Sequence, residues 1–331
     1  MRLPKFEYLE PKNIKEITSF LKKNKEDAIL IAGGTDILPK MKQRIVTPKF
    51  VINVTKIEDL KKIEFGEKKG LTLGSLATLD TVSKSKPVIE KFTALAQAAG
   101  RVASPQIRNM GTIGGNISIE SMCMYYNQSH EWRKGRPHLC FKLGGNRCFV
   151  AKGSKECLAL FQADTPPALI ALDAKITIVG STGKEKIIDI EEFYTQKSVK
   201  VNILKPTDFV KDIQIPTPPK GTGSCYLKMA QREAIDYPVS GAAACITVSG
   251  GKCKNARIVV TAVGSGPLRL KEAEKVLIGN SITDDLIEKA ADAAYEKIRP
   301  MPHFNISPWY KRKLTRVLVK RSIKQACNNA K

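Results

Sequence analysis

Ala28-Ile29-Leu30-Ile31-Ala32-Gly33-Gly34-Thr35-Asp36 is the stretch that decides how the chain begins to fold. An apolar run passes straight into a glycine pair and then two small polar residues, the pattern of a strand that delivers its chain into a tight turn. Glycine in such a turn reaches backbone angles closed to other residues and has no side chain, so its N–H groups can approach a phosphate closely. Upstream, Phe6 to Leu9 reads as a strand, and Ile14, Ile17, Phe20 and Leu21 share one face of a helix. Downstream, a short helical stretch runs through Met41 and Phe50 to Val54 makes the next strand.

A second turn of the same kind, Gly111-Thr112-Ile113-Gly114-Gly115-Asn116, follows a strand at Leu71 to Leu76, helical segments around Val88 to Ala99 and a helix-breaking Ser104-Pro105. Neither turn has the spaced G-x-G-x-x-G pattern, which argues against an ordinary dinucleotide-binding Rossmann domain. Each turn alone is weak evidence; two of them in one domain suggest two arms around one ligand. After residue 118 helical and strand periodicity dissolves until Asp164-Thr165-Pro166-Pro167 and the apolar run Ala168 to Val179, so this stretch reads as an insertion. Strands at Ile187 to Ile190 and Phe209 to Ile215 lead to a linker-like Pro216-Thr217-Pro218-Pro219-Lys220-Gly221. Beyond it, strands at Cys225 to Met229, Ala242 to Ser249 and Ala256 to Ala262 precede helices near Leu270 to Ile278, Asp284 to Ile298 and Trp309 to Ala326, which implies a separate α+β C-terminal lobe.

A chain of 331 residues favours two or three compact units over one core. No run approaches the roughly twenty apolar residues of a membrane helix, and the start MRLPKFEYLE lacks the apolar stretch of a secretory signal, so a cytoplasmic protein with no membrane partner is expected. The formal charge of +23 suits either a Lys-rich soluble surface or an acidic protein partner. No zinc-finger spacing, helix-turn-helix cue or aromatic RNA-binding signature accompanies it, so no nucleic-acid partner is expected.

Four of the eight cysteines, Cys123, Cys140, Cys148 and Cys157, fall within the insertion, separated by 16, 7 and 8 residues. This is not the C-x-x-C pairing of zinc ribbons or bacterial ferredoxins, and spacing alone leaves four unconnected thiols about as good a reading as a ligand set. A metal-thiolate centre is favoured by the shortage of aliphatic residues for a local core and by glycine bends at Gly135, Gly144-Gly145 and Gly153. Cys225, Cys245, Cys253 and Cys327 lie at unrelated spacings and read as buried free thiols.

Taken together and in order, Ala32-Gly33-Gly34-Thr35-Asp36, Thr112-Ile113-Gly114-Gly115-Asn116 and Ala163-Asp164-Thr165-Pro166-Pro167-Ala168-Leu169 are more specific than any one of them. With them the chain resembles, from first strand to last helix, the medium, FAD-binding subunits of molybdenum hydroxylases such as carbon monoxide dehydrogenase and xanthine dehydrogenase. The resemblance implies an α+β fold: a two-lobed FAD-binding domain over residues 1–215 and a C-terminal α+β domain over 222–328. The first domain would comprise a small lobe, 1–56, and a larger one, 57–215, with a cluster-binding insertion at about 118–158. It further implies that the two glycine loops clasp the FAD pyrophosphate through Leu30, Ile31, Ala32, Gly33, Gly34, Thr35, Asp36 and Ile37 and through Gly111, Thr112, Ile113, Gly114, Gly115 and Asn116. Asp164 matches a family acid that contacts the cofactor. Lys228 matches a lysine near the flavin ring, where its charge would favour reduced flavin. A side chain near Val102 would cover the ring system.

The insertion, from Cys123-Met124-Tyr125-Tyr126-Asn127-Gln128-Ser129 through Trp132-Arg133, Cys140-Phe141-Lys142, Gly144-Gly145 and Cys148, is similar to that of 4-hydroxybenzoyl-CoA reductase beta subunits. In that family four cysteines hold a 4Fe-4S cluster, which here would be Cys123, Cys140, Cys148 and Cys157. His130 and His138 would then face solvent or stand behind the ligands, and Arg133, Lys134, Arg136 and Lys142 would offset the cluster's charge. The resemblance implies an electron-relay subunit with no catalytic residue of its own. Ferredoxin would donate electrons that pass through the cluster and FAD to 2Fe-2S centres on a small subunit, then to a molybdenum cofactor on a large subunit that dehydroxylates 4-hydroxybenzoyl-CoA. The assembly would be a dimer of heterotrimers. The alternatives are a flavin subunit of an outward-flowing hydroxylase for another aromatic or heterocyclic substrate, and a zinc-stabilised docking module that has lost its flavin.

Overall fold

The computed structural model describes residues 2–136, 138–302 and 306–330. It is built on three sheets. The first is parallel, in order β1-β3-β2, from β1 (Glu7–Leu9), β2 (Ala28–Ile31) and β3 (Phe50–Asn53). The helix Ile14–Asn24 between β1 and β2 starts where Asn13 caps the Glu16 N–H, and it buries Ile17 and Leu21 against this sheet's core. β2 ends where expected, immediately before the Gly33-Gly34 turn.

The second sheet is antiparallel throughout. Its order is β4-β5-β8-β6-β7, from β4 (Ile63–Gly66), β5 (Gly70–Gly74), β6 (Lys175–Val179), β7 (Glu185–Asp189) and β8 (Phe209–Ile215). Its core takes in Phe92, Leu95 and Ala98 from the helical region and Ala168, Leu169 and Ile170 from the helix Thr165–Ala171. Ser104-Pro105 starts a helix: the preceding one has already ended at Gly100, and here Ser104 accepts the Ile107 N–H while Pro105 occupies the first turn of the helix Pro105–Met110.

The third sheet, also antiparallel, runs β12-β11-β10-β9 from β9 (Thr222–Met229), β10 (Ser240–Ser249), β11 (Lys252–Thr261) and β12 (Leu268–Arg269). Alternation along β10 sends Ala242, Ala244 and Ile246 to a core shared with the C-terminal helices, and Ala243 toward the central core with Tyr226 and Val259. The sheet of the C-terminal lobe is therefore buried on both faces.

The insertion leaves the body at an antiparallel bridge, with Met122 and Leu160 exchanging N–H···O bonds of 2.9 and 2.8 Å. As expected it has little regular structure, only a one-turn helix His130–Lys134 and a 3₁₀ turn Phe141–Leu143. Gly144 and Gly153 take the left-handed backbone that favours glycine, at φ +82° and +78°. Gly135 does not need to be glycine, since its φ of −64° suits any residue.

Arg133, expected near a cluster as a charge, has a different task. Its buried guanidinium donates to the carbonyls of Tyr126, Gln128 and Arg44 at 2.6, 2.9 and 3.3 Å, tying the insertion to the first lobe. Arg133→Ala should leave those buried acceptors unpaired, at about 1–3 kcal/mol each. Hydrogen exchange should accelerate across 122–160 while the helix Thr165–Ala171 stays protected; equal acceleration in both would refute a local anchoring role.

Candidate cofactor site

A cleft of about 860 Å³ is lined by both glycine turns, by Asp164 and by an apolar end formed from Ile17, Leu21 and Ala28. This is near the top of the range for small-molecule and cofactor sites. The turns, far apart in sequence, touch directly. A Cβ at Gly33 would lie 1.8 Å from the Met110 carbonyl oxygen, so only glycine permits the approach. The third motif joins the second, as Thr165 donates its hydroxyl and N–H to Asn116 Oδ1 at 2.6 and 3.3 Å.

The first turn presents its backbone to the cleft. Gly34 has φ +73°, and the N–H groups of Gly33, Gly34, Thr35, Asp36 and Ile37 have no acceptor among the described residues. Such a row of free amides is an anion-binding surface. The second turn departs from expectation. Most of its amides already have acceptors: Ile113 N–H goes to the Ala77 carbonyl at 2.9 Å, Gly114 N–H to the Ser75 carbonyl at 2.9 Å, and Gly115 N–H to Thr112 Oγ1 at 3.1 Å. Gly114 is there for close packing, since a Cβ would meet Ser75 Cβ at 2.6 Å and Ser75 O at 2.8 Å. The second arm therefore shapes the wall more than it supplies donors. Leu30, Ala32, Ile37, Gly111, Thr112 and Asn116 line the cleft, whereas Ile31 and Ile113 do not.

Asp164 and Lys228 meet, in an arrangement that differs from the one expected. Lys228 does not line the cleft; its three N–H donors go to Asp164 Oδ2 at 3.0 Å and to the carbonyls of Arg101 and Asp236, each at 2.9 Å. It is an almost wholly buried partner that orients Asp164. Asp164 Oδ1 accepts the Tyr226 hydroxyl at 2.7 Å. Burial pushes the Asp164 carboxyl up, and Lys228 and the Tyr226 hydroxyl oppose that push. Tyr226 was missed in the sequence although a signal existed: it lies two residues from Lys228 on one strand, hence on the same face. Gly241 makes room for it, because a Cβ there would stand 2.5 Å from the Tyr226 hydroxyl.

Val102 does line the cleft, beside Ala103. The Ala103 carbonyl accepts the Ile235 N–H at 2.9 Å, and Ile235, Asp236 and Tyr237 extend the same wall. Both Ala103 and Ile235 have positive φ, 43° and 54°, a costly backbone for a β-branched residue.

The four insertion cysteines, none of them in a disulfide, line one small cavity together with Lys142, Arg147 and Phe149. The N–H groups of Tyr126 and Ala151 donate to Cys123 Sγ and Cys148 Sγ at 3.2 and 3.4 Å, the kind of bond that tunes iron-sulfur centres. Burial pushes the Cys123 and Cys157 thiols up, against the pull of the Tyr126 and Ala159 N–H groups. Among the described residues no three His, Cys, Asp or Glu side chains are arranged around a single metal ion. The four thiols face one shared space without converging on a single point. His130 and His138 are exposed, as expected. Burial draws the Lys142 ammonium down, opposed by Glu120.

Residues 4–218 match the FAD binding domain in molybdopterin dehydrogenase, and residues 225–326 match the carbon monoxide dehydrogenase flavoprotein C-terminal domain. The chain belongs to this family: it is a FAD-binding medium subunit of the molybdenum hydroxylase, carbon monoxide dehydrogenase-like type, and an oxidoreductase subunit. It is 29% identical to the carbon monoxide dehydrogenase medium chain of Afipia carboxidovorans, over 98% of each chain. It is 27% identical to the 6-hydroxypseudooxynicotine dehydrogenase complex subunit alpha of Paenarthrobacter nicotinovorans, over 100% of this chain and 97% of that one. The solved carbon monoxide dehydrogenase from Hydrogenophaga pseudoflava superimposes with a TM-score of 0.81 at 28% identity, covering 99% of both chains. Among the described residues no helix is long and apolar enough to cross a membrane.

Proposed function

We propose that the chain relays electrons through FAD and a 4Fe-4S cluster within a molybdenum enzyme that reductively dehydroxylates 4-hydroxybenzoyl-CoA. The observation that carries this reading is the gathering of Cys123, Cys140, Cys148 and Cys157, drawn from the whole insertion, around one cavity. When bound, the cluster would supply single-electron storage and FAD would exchange electrons one or two at a time. The residues' own work is to bind and orient. The free amides of Gly33 to Ile37 would hold the FAD pyrophosphate, the turn Gly111 to Asn116 would close over it, and Asp164, aimed by Tyr226 and Lys228, would contact the cofactor. The division into residues 1–215 and 222–328, with the cluster insertion at 118–158, belongs to the same proposal. Partners would be a large molybdenum subunit, a small 2Fe-2S subunit and ferredoxin, assembled as a dimer of heterotrimers in the cytoplasm.

Curated relatives with names such as nicotinate dehydrogenase FAD-subunit and nicotine 6-hydroxylase medium subunit favour a second reading, a flavin subunit of an outward-flowing hydroxylase that retains the insertion. Anaerobic purification followed by iron, sulfide and flavin assay tests the common part. About four irons and one FAD per chain are expected; flavin without iron would reduce the cysteines to structural thiols. Rapid reduction of the cluster by ferredoxin, slowed by added salt, would then favour the first reading over the second.

A further inference from the structure

A row of charged side chains links the flavin cleft to the thiol cavity. Lys40, only 6% exposed, donates to Asp36 at 2.7 Å and stands 3.8 Å from Glu120 Oε2. The same oxygen stands 3.9 Å from Lys142 Nζ. Asp36, Lys40 and Glu120 line the cleft, while Lys142 lines the cavity of the four cysteines. Lys142 is fixed there by bonds to Ser121 Oγ at 2.8 Å and to the Ser198 carbonyl at 3.1 Å, and its side chain is 3% exposed. Ser198 in turn donates to the carbonyl of Ala159, another residue of the cavity wall.

Asp36 neutralises Lys40 at contact distance. Glu120, touching neither lysine closely, is left as a carboxylate shared between two buried ammoniums, one at each site. The two ammoniums are buried and weakly screened, and Glu120, though half exposed, stands within 4 Å of both, so a change of charge beside one end is felt, attenuated, at the other. Four thiolates and their irons carry net negative charge that grows on reduction, and the nearest fixed cation helps set how readily an electron is accepted.

We infer that Lys142 is the fixed counter-charge of the four-thiol site, and that Glu120 couples this charge through Lys40 to the flavin cleft. The inference rests on the cluster reading above. Lys142 owes its place to the bonds it donates to Ser121 Oγ and the Ser198 carbonyl, so it is held against the cavity whether or not an iron group is bound. The coupling is reciprocal: whatever makes the thiol site more negative makes the cleft less hospitable to added negative charge, by the same amount in the other direction.

The test is a redox titration of anaerobically purified protein, following the iron-sulfur signal by electron paramagnetic resonance and the flavin by absorbance, with iron, sulfide and FAD assayed on each sample. In Lys142→Met the ratio of reduced to oxidised cluster at the wild-type midpoint should fall about tenfold, a downward shift of about 59 mV for a one-electron couple. Lys142→Arg should stay close to wild type. Glu120→Gln should raise both the cluster and the flavin midpoints, because one negative neighbour is lost to each. Unmoved midpoints in Lys142→Met and Glu120→Gln samples with full cofactor content would overturn the inference and leave the cluster reading standing. A cluster shift in Glu120→Gln without a flavin shift would overturn the coupling. Wild-type protein without iron would sink both readings together. Should Lys142→Met fail to fold, Glu120→Gln carries the test, since the Glu120 side chain is 47% exposed.

Discussion

Gly33→Ala should yield a folded protein nearly free of flavin. The added Cβ would sit 1.8 Å from Met110 O, 2.4 Å from Met110 C and 3.1 Å from Gly111 N, all backbone atoms that no rotamer change can move aside. The two glycine turns must then separate, and with them the free amides of the first turn and the wall supplied by the second. The neighbouring Gly34→Ala is a useful contrast. Its obstacle is the mobile end of the Leu38 side chain at 2.8 Å, so its main cost is a left-handed φ of +73°, about 1–2 kcal/mol. Flavin per chain, read from absorbance after purification, should drop at least about tenfold in Gly33→Ala, equivalent to about 1.4 kcal/mol or more of lost binding. Gly34→Ala should lose less, and Gly135→Ala, which meets nothing closer than 3.5 Å, should lose none. Far-ultraviolet circular dichroism should match wild type in all three, because none of the three glycines lies within a helix or strand. A Gly33→Ala protein that retains full flavin would show that the loop contact does not shape the site.

What could be read from the sequence follows from how local each signal is. The strand into Gly33-Gly34 was legible because an apolar run ending in paired glycine has few other structural solutions, and the insertion was legible because it lacks both helical and strand periodicity. β4 escaped notice because it is only four residues long and has only part of its face buried, so Gly66 and Gly70 flanking Glu67-Lys68-Lys69 read as loop residues. The roles of the second turn were not legible: Gly114 looks the same in sequence whether its N–H serves a phosphate or, as here, the Ser75 carbonyl. Lys228 could be placed beside Asp164 only once β9 was known to cross the helical region, and the sharing of Glu120 between Lys40 and Lys142 left no trace in spacing at all.

Lys228→Met should be the most destabilising single change near the cleft that leaves every glycine turn intact. It would leave the Asp164 carboxylate, whose side chain is 4% exposed, with the Tyr226 hydroxyl as its hydrogen-bond donor among the described residues, and it would remove the donor from the Arg101 and Asp236 carbonyls. Breaking a buried pair from one side costs about 3–5 kcal/mol, because the remaining charge is uncompensated. The pH dependence has a definite sign. Burial already pushes Asp164 up, and without Lys228 the largest opposing influence is gone. The folded variant then holds a proton that the unfolded chain, with an ordinary carboxyl near about 3.9, has released. A native state that binds more protons than the unfolded one gains stability as pH falls. Urea unfolding at about pH 8 should show the full deficit against wild type, and at about pH 5 a smaller one. Asp164→Leu combined with Lys228→Met should recover part of the loss at the higher pH, since no buried charge remains. A deficit that is identical at both pH values, or no recovery in the double variant, would mean that Lys228 acts through packing alone and that Asp164 does not carry its charge in the native state.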